Sequence, residues 1–189
     1  VYNANKPIEA ALEDYLLPGR GVVWVVYDPV FVKEMVEIEQ INEFGERVII
    51  EIEEERVAEQ RCYFDYVHWE DYRENPAKRP EDVNWKARRH LWTRDQLKEK
   101  GFSSVNDIPL NWSPDTDENN YEAEEVFKRA EIWEIWDRVK EKRYYVVKGY
   151  DKVIRVDDDP YELEGFYPTP TPMLAVRTND TSVPIPEFT

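Results

Sequence analysis

One cysteine, Cys62, and two histidines, His68 and His90, are the only thiol and imidazole groups in this chain. A lone thiol can neither close an intrachain disulfide nor build a cysteine-based zinc site, and two imidazoles fall short of a three-histidine metal centre. Glycine is also scarce, at six in 189 residues. The only close pair, Gly19-Arg20-Gly21, precedes a β-branched run instead of a helix, and Trp24 stands where a nucleotide-binding loop would carry its third glycine. No Walker sequence occurs. No run of apolar residues approaches the eighteen needed for a transmembrane helix. Positive charge is the minority, 25 Lys and Arg against 41 Asp and Glu, for a formal charge of −16. Non-specific DNA binding and adhesion to anionic membranes both need the opposite surplus, because cations must displace counterions from phosphates. An acidic protein can nevertheless surround DNA whose task is to pass without sticking.

Aromatic residues are abundant, at 14%, with seven Trp and twelve Tyr. Disordered acidic chains lack such bulky side chains, so the composition points to a folded, acidic, aromatic-rich domain. Val1 is not followed by a charged-then-apolar leader, and Val183-Pro184-Ile185-Pro186-Glu187-Phe188-Thr189 reads as a linker. These ends predict a piece of a longer polypeptide.

Hydrophobic spacing predicts the elements. Ile8, Ala11, Leu12, Tyr15 and Leu16 recur at helical intervals, giving a helix over Pro7 to Leu17, with Asn5 as its cap and Pro18-Gly19 as its stop. Gly21 to Tyr27 reads as a strand buried on both faces and halted by Asp28-Pro29. Val30 to Ile38 reads as a second strand, followed by turn chemistry at Asn42-Glu43-Phe44-Gly45. Arg47 to Arg56 places Val48, Ile50 and Ile52 on one side and Glu51 and Glu53 on the other, though its Glu-rich end also suits a helix. Cys62 to Trp69 and Val83 to Trp92 read as extended, flanking a polar loop over Glu74 to Asp82. Thr93 caps a helix over Arg94 to Lys100 that Gly101 closes. Ser103 to Asn120 reads as a loop, and Tyr121 to Arg129 as a short helix. Ile132 to Arg138, Arg143 to Lys148 and Lys152 to Val156 form a β-meander with turns at Glu141-Lys142 and Gly149-Tyr150-Asp151. Six prolines between Pro160 and Pro186 argue against regular structure and for an extended surface arm. The expected class is α+β, mainly antiparallel strands with a few short helices, divided into residues 1–159 and a proline-rich extended segment, 160–189.

Searching for chemistry yields no catalytic residue, no cofactor site and no metal site. Ser103, Ser104, Ser113 and Ser182 lie in loops without the strand–turn–helix elbow that exposes a nucleophile. Cys62 sits in an aromatic strand, where a small buried thiol is expected. His68 reads as a half-buried strand residue, and Arg88 and Arg89 disfavour protonation of His90. Asp115-Thr116-Asp117-Glu118-Asn119-Asn120 begins like a calcium loop but has Asn120 in place of glycine at position six and Val126 in place of glutamate at position twelve. The carboxylates of Asp157-Asp158-Asp159 should point apart along an extended chain. Trp85 to Trp92, the one basic–aromatic stretch, reads as a core or interface strand. The pairs Trp133 and Trp136, or Trp85 and Trp92, could offer stacking platforms.

Several stretches together carry a resemblance: Asp14-Tyr15-Leu16-Leu17-Pro18-Gly19-Arg20-Gly21; Val67-His68-Trp69-Glu70-Asp71-Tyr72; Val83-Asn84-Trp85-Lys86-Ala87-Arg88-Arg89 with Thr93-Arg94-Asp95-Gln96-Leu97; Ala130-Glu131-Ile132-Trp133-Glu134-Ile135-Trp136-Asp137; and Lys148-Gly149-Tyr150, Asp159-Pro160-Tyr161, Gly165-Phe166-Tyr167-Pro168-Thr169-Pro170 and Val183-Pro184-Ile185-Pro186. In order and spacing this set resembles the portal, or head-to-tail connector, proteins of tailed bacteriophages, and specifically their wing region. The resemblance implies a structural subunit of a homododecameric ring at one capsid vertex of the virion, assembled in the host cytoplasm. Through that ring double-stranded DNA passes non-specifically during packaging and ejection, and on it terminase, capsid and tail-adaptor proteins dock. It implies no enzymatic activity and no membrane association. The residues leave a second reading open, an acidic aromatic-rich module of a virion or surface protein that contacts carbohydrate through Trp platforms.

Overall fold

The computed structural model describes residues 4–41, 45–113, 127–178, 180–181 and 183–186. The architecture is α+β, with mostly antiparallel strands in two sheets and few helices. Helix α1 spans Asn5–Leu16, β1 spans Arg20–Ile41 and β2 spans Arg47–Val67. Strands β3 (Tyr72–Glu74), β4 (Trp85–Trp92), β5 (Ala130–Asp137), β6 (Lys142–Val147) and β7 (Val153–Asp158) form one antiparallel sheet in that order. Between β4 and β5 lies α2 (Arg94–Glu99), and β8 (Met173–Leu174) pairs with the start of β1.

The predicted meander is present as β5–β6–β7, with Glu141 and Gly149 at positive φ in its turns. Helix α2 carries the expected Thr93 cap, as a reciprocal capping box with Gln96, and Gly101 follows at positive φ. Helix α1 departs from expectation at its start. Ala4 holds the cap position without a side-chain hydrogen bond, and Asn5 is the first helical residue instead of the cap.

The larger correction concerns β1. Asp28-Pro29 does not halt the strand, and the predicted segments 21–27 and 30–38 are one continuous strand. Strand β8 pairs with β1 at Arg20 and Gly21, so beyond them β1 has β2 as its single partner strand among the described residues. Proline is tolerated on such an edge, where no ladder donor is needed on the open side. The ambiguous segment 47–56 is strand, not helix, and belongs to β2, which the register pairs with β1 from Val22↔Val67 to Ile41↔Arg47. At 3.3–3.4 Å per residue the two strands make a ribbon about 70 Å long. Strand β2 ends at Val67, so His68 and Trp69 are not strand residues; Trp69–Asp71 is a short 3-10 turn.

Prolines do not exclude pairing from the segment 160–186. It contributes β8 and a bridge between Val176 and Ile185. Phe166 and Thr169 are buried, and the Thr169 hydroxyl donates to the Val23 carbonyl at 2.8 Å.

Two apolar clusters make the core. One joins Leu97, Phe102, Val105 and Ile108 to Ile132 and Val147 of the sheet. The other joins Val22, Trp24 and Val67 at the base of the ribbon to Tyr72, Trp136 and Phe166. Helix α1 closes over that base, approaching so near that a Cβ at Gly21 would overlap the Ala11 carbonyl. Strand β5 spans both clusters, because Ala130, Ile132, Glu134 and Trp136 alternate onto one buried face. The residue between the clusters is a carboxylate.

Candidate functional site

Antiparallel pairing places opposed residues on the same sheet face. The registers therefore draw one polar row across five strands: Tyr72 opposite Arg88, Arg88 opposite Glu134, Glu134 opposite Tyr145, and Tyr145 opposite Arg155. Glu134, with a side chain 2% exposed, is the centre of this row. Its Oε2 accepts from Arg88 Nε at 2.6 Å and lies 2.8 Å from His90 Nε2. Its Oε1 accepts from Trp136 Nε1 at 3.0 Å and lies 3.7 Å from Arg143 Nη1. Burial alone would raise the Glu134 pKa, but the Arg88 charge and the His90 hydrogen bond outweigh it, and the carboxyl is held well below the usual carboxylate range.

Around this anion the cations form a second layer. Arg143 Nη2 donates to Asp157 at 2.7 Å, and Arg155 Nε reaches the same carboxylate at 2.8 Å. Arg88 Nη1 lies 3.4 Å from Asp65 on the ribbon. Burial pushes the His90 pKa down, against the hydrogen bond that its Nε2 gives to the Glu134 carboxylate. The His90 ring stacks on Trp92 at 4.4 Å between centroids, and Lys100 Nζ lies 4.9 Å from the Trp92 ring centre. Between the ribbon base and the sheet these groups line a cleft of about 420 Å³, with Val26, Tyr63, Phe102 and Tyr145 as its apolar walls.

The chemistry available follows from that geometry. Glu134 stays ionised and its acceptor positions are engaged, so it has neither the proton affinity nor the free lone pair of a general base. Its role is to hold Arg88, His90 and Arg143 at the sheet surface, where a buried carboxylate compensates their charge.

The other sequence candidates are dispersed. Cys62 is exposed on β2, not buried, because the ribbon there has one open face. It borders a separate apolar hollow of about 310 Å³ with Val25, Tyr27, Tyr161 and Leu163. His90 lines the ionic cleft, so the two do not share a cavity. His68 caps the 3-10 turn, its Nδ1 accepting from Glu70 N at 3.3 Å. Ser103, Ser104 and Ser113 are exposed loop residues, and Ser182 lies outside the described residues. So do the acidic stretch 115–120 and most of the expected helix 121–129. Asp157 and Asp158 point apart, to Arg143 and to Lys142. Among the described residues no group of three or more His, Cys, Asp or Glu is arranged to hold a metal ion, and no helix is long and apolar enough to cross a membrane.

Three of the four tryptophans named as stacking candidates have neighbours against their rings. Trp136 is buried, stacked on Tyr161 and edged by Phe166, while Trp133 turns to the other sheet face beneath Arg73. Trp92 has His90 on its ring and Lys100 beside it.

A second surface has no equivalent in the catalogue of motifs. In the outer ribbon Val36 opposes Ile52, Ile38 opposes Ile50, and Gln40 opposes Val48. The alternate face pairs Lys33 with Glu55, Met35 with Glu53, Glu37 with Glu51 and Glu39 with Ile49. One face of the ribbon is thus aliphatic and the other largely acidic. Ile38, Val48 and Ile52 are 37–40% exposed. Sequence alternation within 47–56 marked half of this surface. The cleft left a fainter mark, the single Glu at i+2 spacing between Ile132 and Trp136.

Comparison with known proteins adds no identity: the chain matches no protein-family model and no curated protein.

Proposed function

We propose that this chain is the wing-like part of a portal-ring subunit of a tailed bacteriophage, a structural component of the virion vertex through which DNA is packaged and ejected. The amphipathic outer ribbon carries the reading. A two-stranded ribbon is marginal alone in water, and its open edges and aliphatic face invite pairing. A neighbouring copy of the same chain, taken up head-to-tail, covers that face and closes a ring. A polar flank on that same face, the Arg56–Glu34 ion pair, would fix its register. The acidic opposite face, with Glu37 directly across from Glu51, repels a polyanion instead of binding it, which suits a conduit for DNA. In this reading terminase, capsid and tail-adaptor proteins dock on the assembled ring.

The carbohydrate alternative finds less support, since Trp92, Trp133 and Trp136 each have a ring or a cation against them.

The test is assembly of the polypeptide encoded by the complete reading frame containing this chain. Negative-stain microscopy with mass determination is expected to show dodecameric rings with a central hole wide enough for duplex DNA. Val36→Glu with Ile38→Glu is expected to abolish rings while leaving the thermal midpoint of the dissociated subunit unchanged. A monomer that persists at raised salt and with scaffolding partners refutes the proposal. A saturable tryptophan-fluorescence response to a sugar would move the assignment to the alternative.

A further inference from the structure

The cleft over Glu134 is unusual for its surroundings. Four permanent cations, Arg88, Lys100, Arg143 and Arg155, meet there, and the carboxylates engaged with them are Glu134, Asp65 and Asp157. The local balance is positive in a chain whose formal charge is −16. Salt of physiological strength screens charge beyond roughly 8 Å, so the acidic ribbon tip does not cancel this local field.

The internal carboxylates do not use up the donors. Both oxygens of Glu134 are already engaged by Arg88, His90, Trp136 and Arg143. Arg143 Nε is buried with no hydrogen-bond partner. Lys100 Nζ has the Trp92 ring beside it and no carboxylate within ion-pair distance among the described residues. Arg155 gives Nε to Asp157 and Nη1 to the Lys100 carbonyl, so it is held in place with its fork at the cleft. The guanidinium planes are further steadied by aromatic rings, Arg88 over Trp24 at 4.7 Å and Arg143 over Tyr145 at 5.3 Å. Donors fixed before binding lose little entropy on meeting a ligand.

We infer that this cleft binds the phosphate group of a small molecule, with Lys100 and Arg155 as its outer contacts and Arg88 and Arg143 as its floor. A tetrahedral dianion offers several oxygens to donors converging from different strands, whereas a carboxylate would only repeat what Glu134 already supplies. The volume of about 420 Å³ accommodates pyrophosphate or a phosphate ester with an apolar part against Phe102 and Val26. The inference does not depend on ring assembly.

Titration calorimetry and tryptophan fluorescence on the intact chain, at constant ionic strength, test it with inorganic phosphate, pyrophosphate and acetate as probes. Phosphate or pyrophosphate is expected to bind saturably with a Kd of about 1 mM or tighter. Lys100→Ala and Arg155→Ala are each expected to weaken binding by about tenfold, the scale of one charge-assisted hydrogen bond. Lys100→Ala should leave the thermal midpoint unchanged, whereas Arg155→Ala also gives up the bonds to Asp157 and the Lys100 carbonyl, so its binding is read at a temperature where its own melt shows it folded. Arg79→Ala, a control at a side chain 73% exposed outside the cleft, should bind as the parent does. The inference is overturned by a linear response in every arm, by acetate binding as tightly as phosphate, or by equal binding in the Lys100 and Arg155 variants.

Discussion

Glu134→Gln tests the central claim about the sheet, that a buried carboxylate holds its cations together. The substitution keeps the shape and removes one negative charge. Arg88 and Arg143 are each 13% exposed, and both then lose a carboxylate partner at low solvent access. The glutamine NH₂ must also face a donor, either Arg88 or Trp136. Breaking one partner of a buried ion pair typically costs about 3–5 kcal/mol. For a chain of this size each kcal/mol lowers the thermal midpoint by roughly 2–4 °C, so a fall of about 6–20 °C is expected. Calorimetry or circular dichroism measures it. The pH dependence gives an independent check. The folded-state pKa of Glu134 is depressed, so its stabilisation is complete above the unfolded value of about 4.3 and is lost as pH falls below it. The gap between parent and variant should be full at pH 7 and should narrow through pH 4 and below. Pairing Glu134→Leu with Arg88→Met should recover only part of the loss, because His90, Trp136 and Arg143 still lose their acceptor. A midpoint within about 2 °C of the parent at pH 7, equivalent to less than about 1 kcal/mol, would refute the reasoning.

Gly21→Ala should destabilise the base of the ribbon by about 1–3 kcal/mol or more, since α1 must move off the new methyl; thermal melts read this, and a neutral result would mean that α1 does not pack there as described. Cys62 is exposed, so one thiol should react with Ellman's reagent in the folded protein as fully as in guanidinium. Protection of that thiol in the dissociated subunit would contradict an uncovered ribbon.

Local pattern made several elements legible. The cap at Thr93 and the meander turns at Glu141 and Gly149 depend on residues within a few positions of one another. Asp28-Pro29 misled because its effect depends on the strand edge it occupies, and the edge is set by where β8 pairs, some 145 residues later in the chain. Cys62 misled for a related reason: an aromatic strand buries its small residues only when a second layer packs tightly on it, and here the segment around Tyr161 and Leu163 leaves a hollow with the thiol at its border.

What the sequence determined by itself was therefore composition and short-range order: the acidic balance, the want of thiol and imidazole ligands, and the helical and strand periods of single segments. The tertiary structure alone decided which strands lie side by side. Arg88, Glu134, Arg143 and Arg155 come from four strands, and nothing in their separate segments shows that they meet. Register brings them together, because a shift of one residue in any pairing would turn that side chain to the opposite face of the sheet.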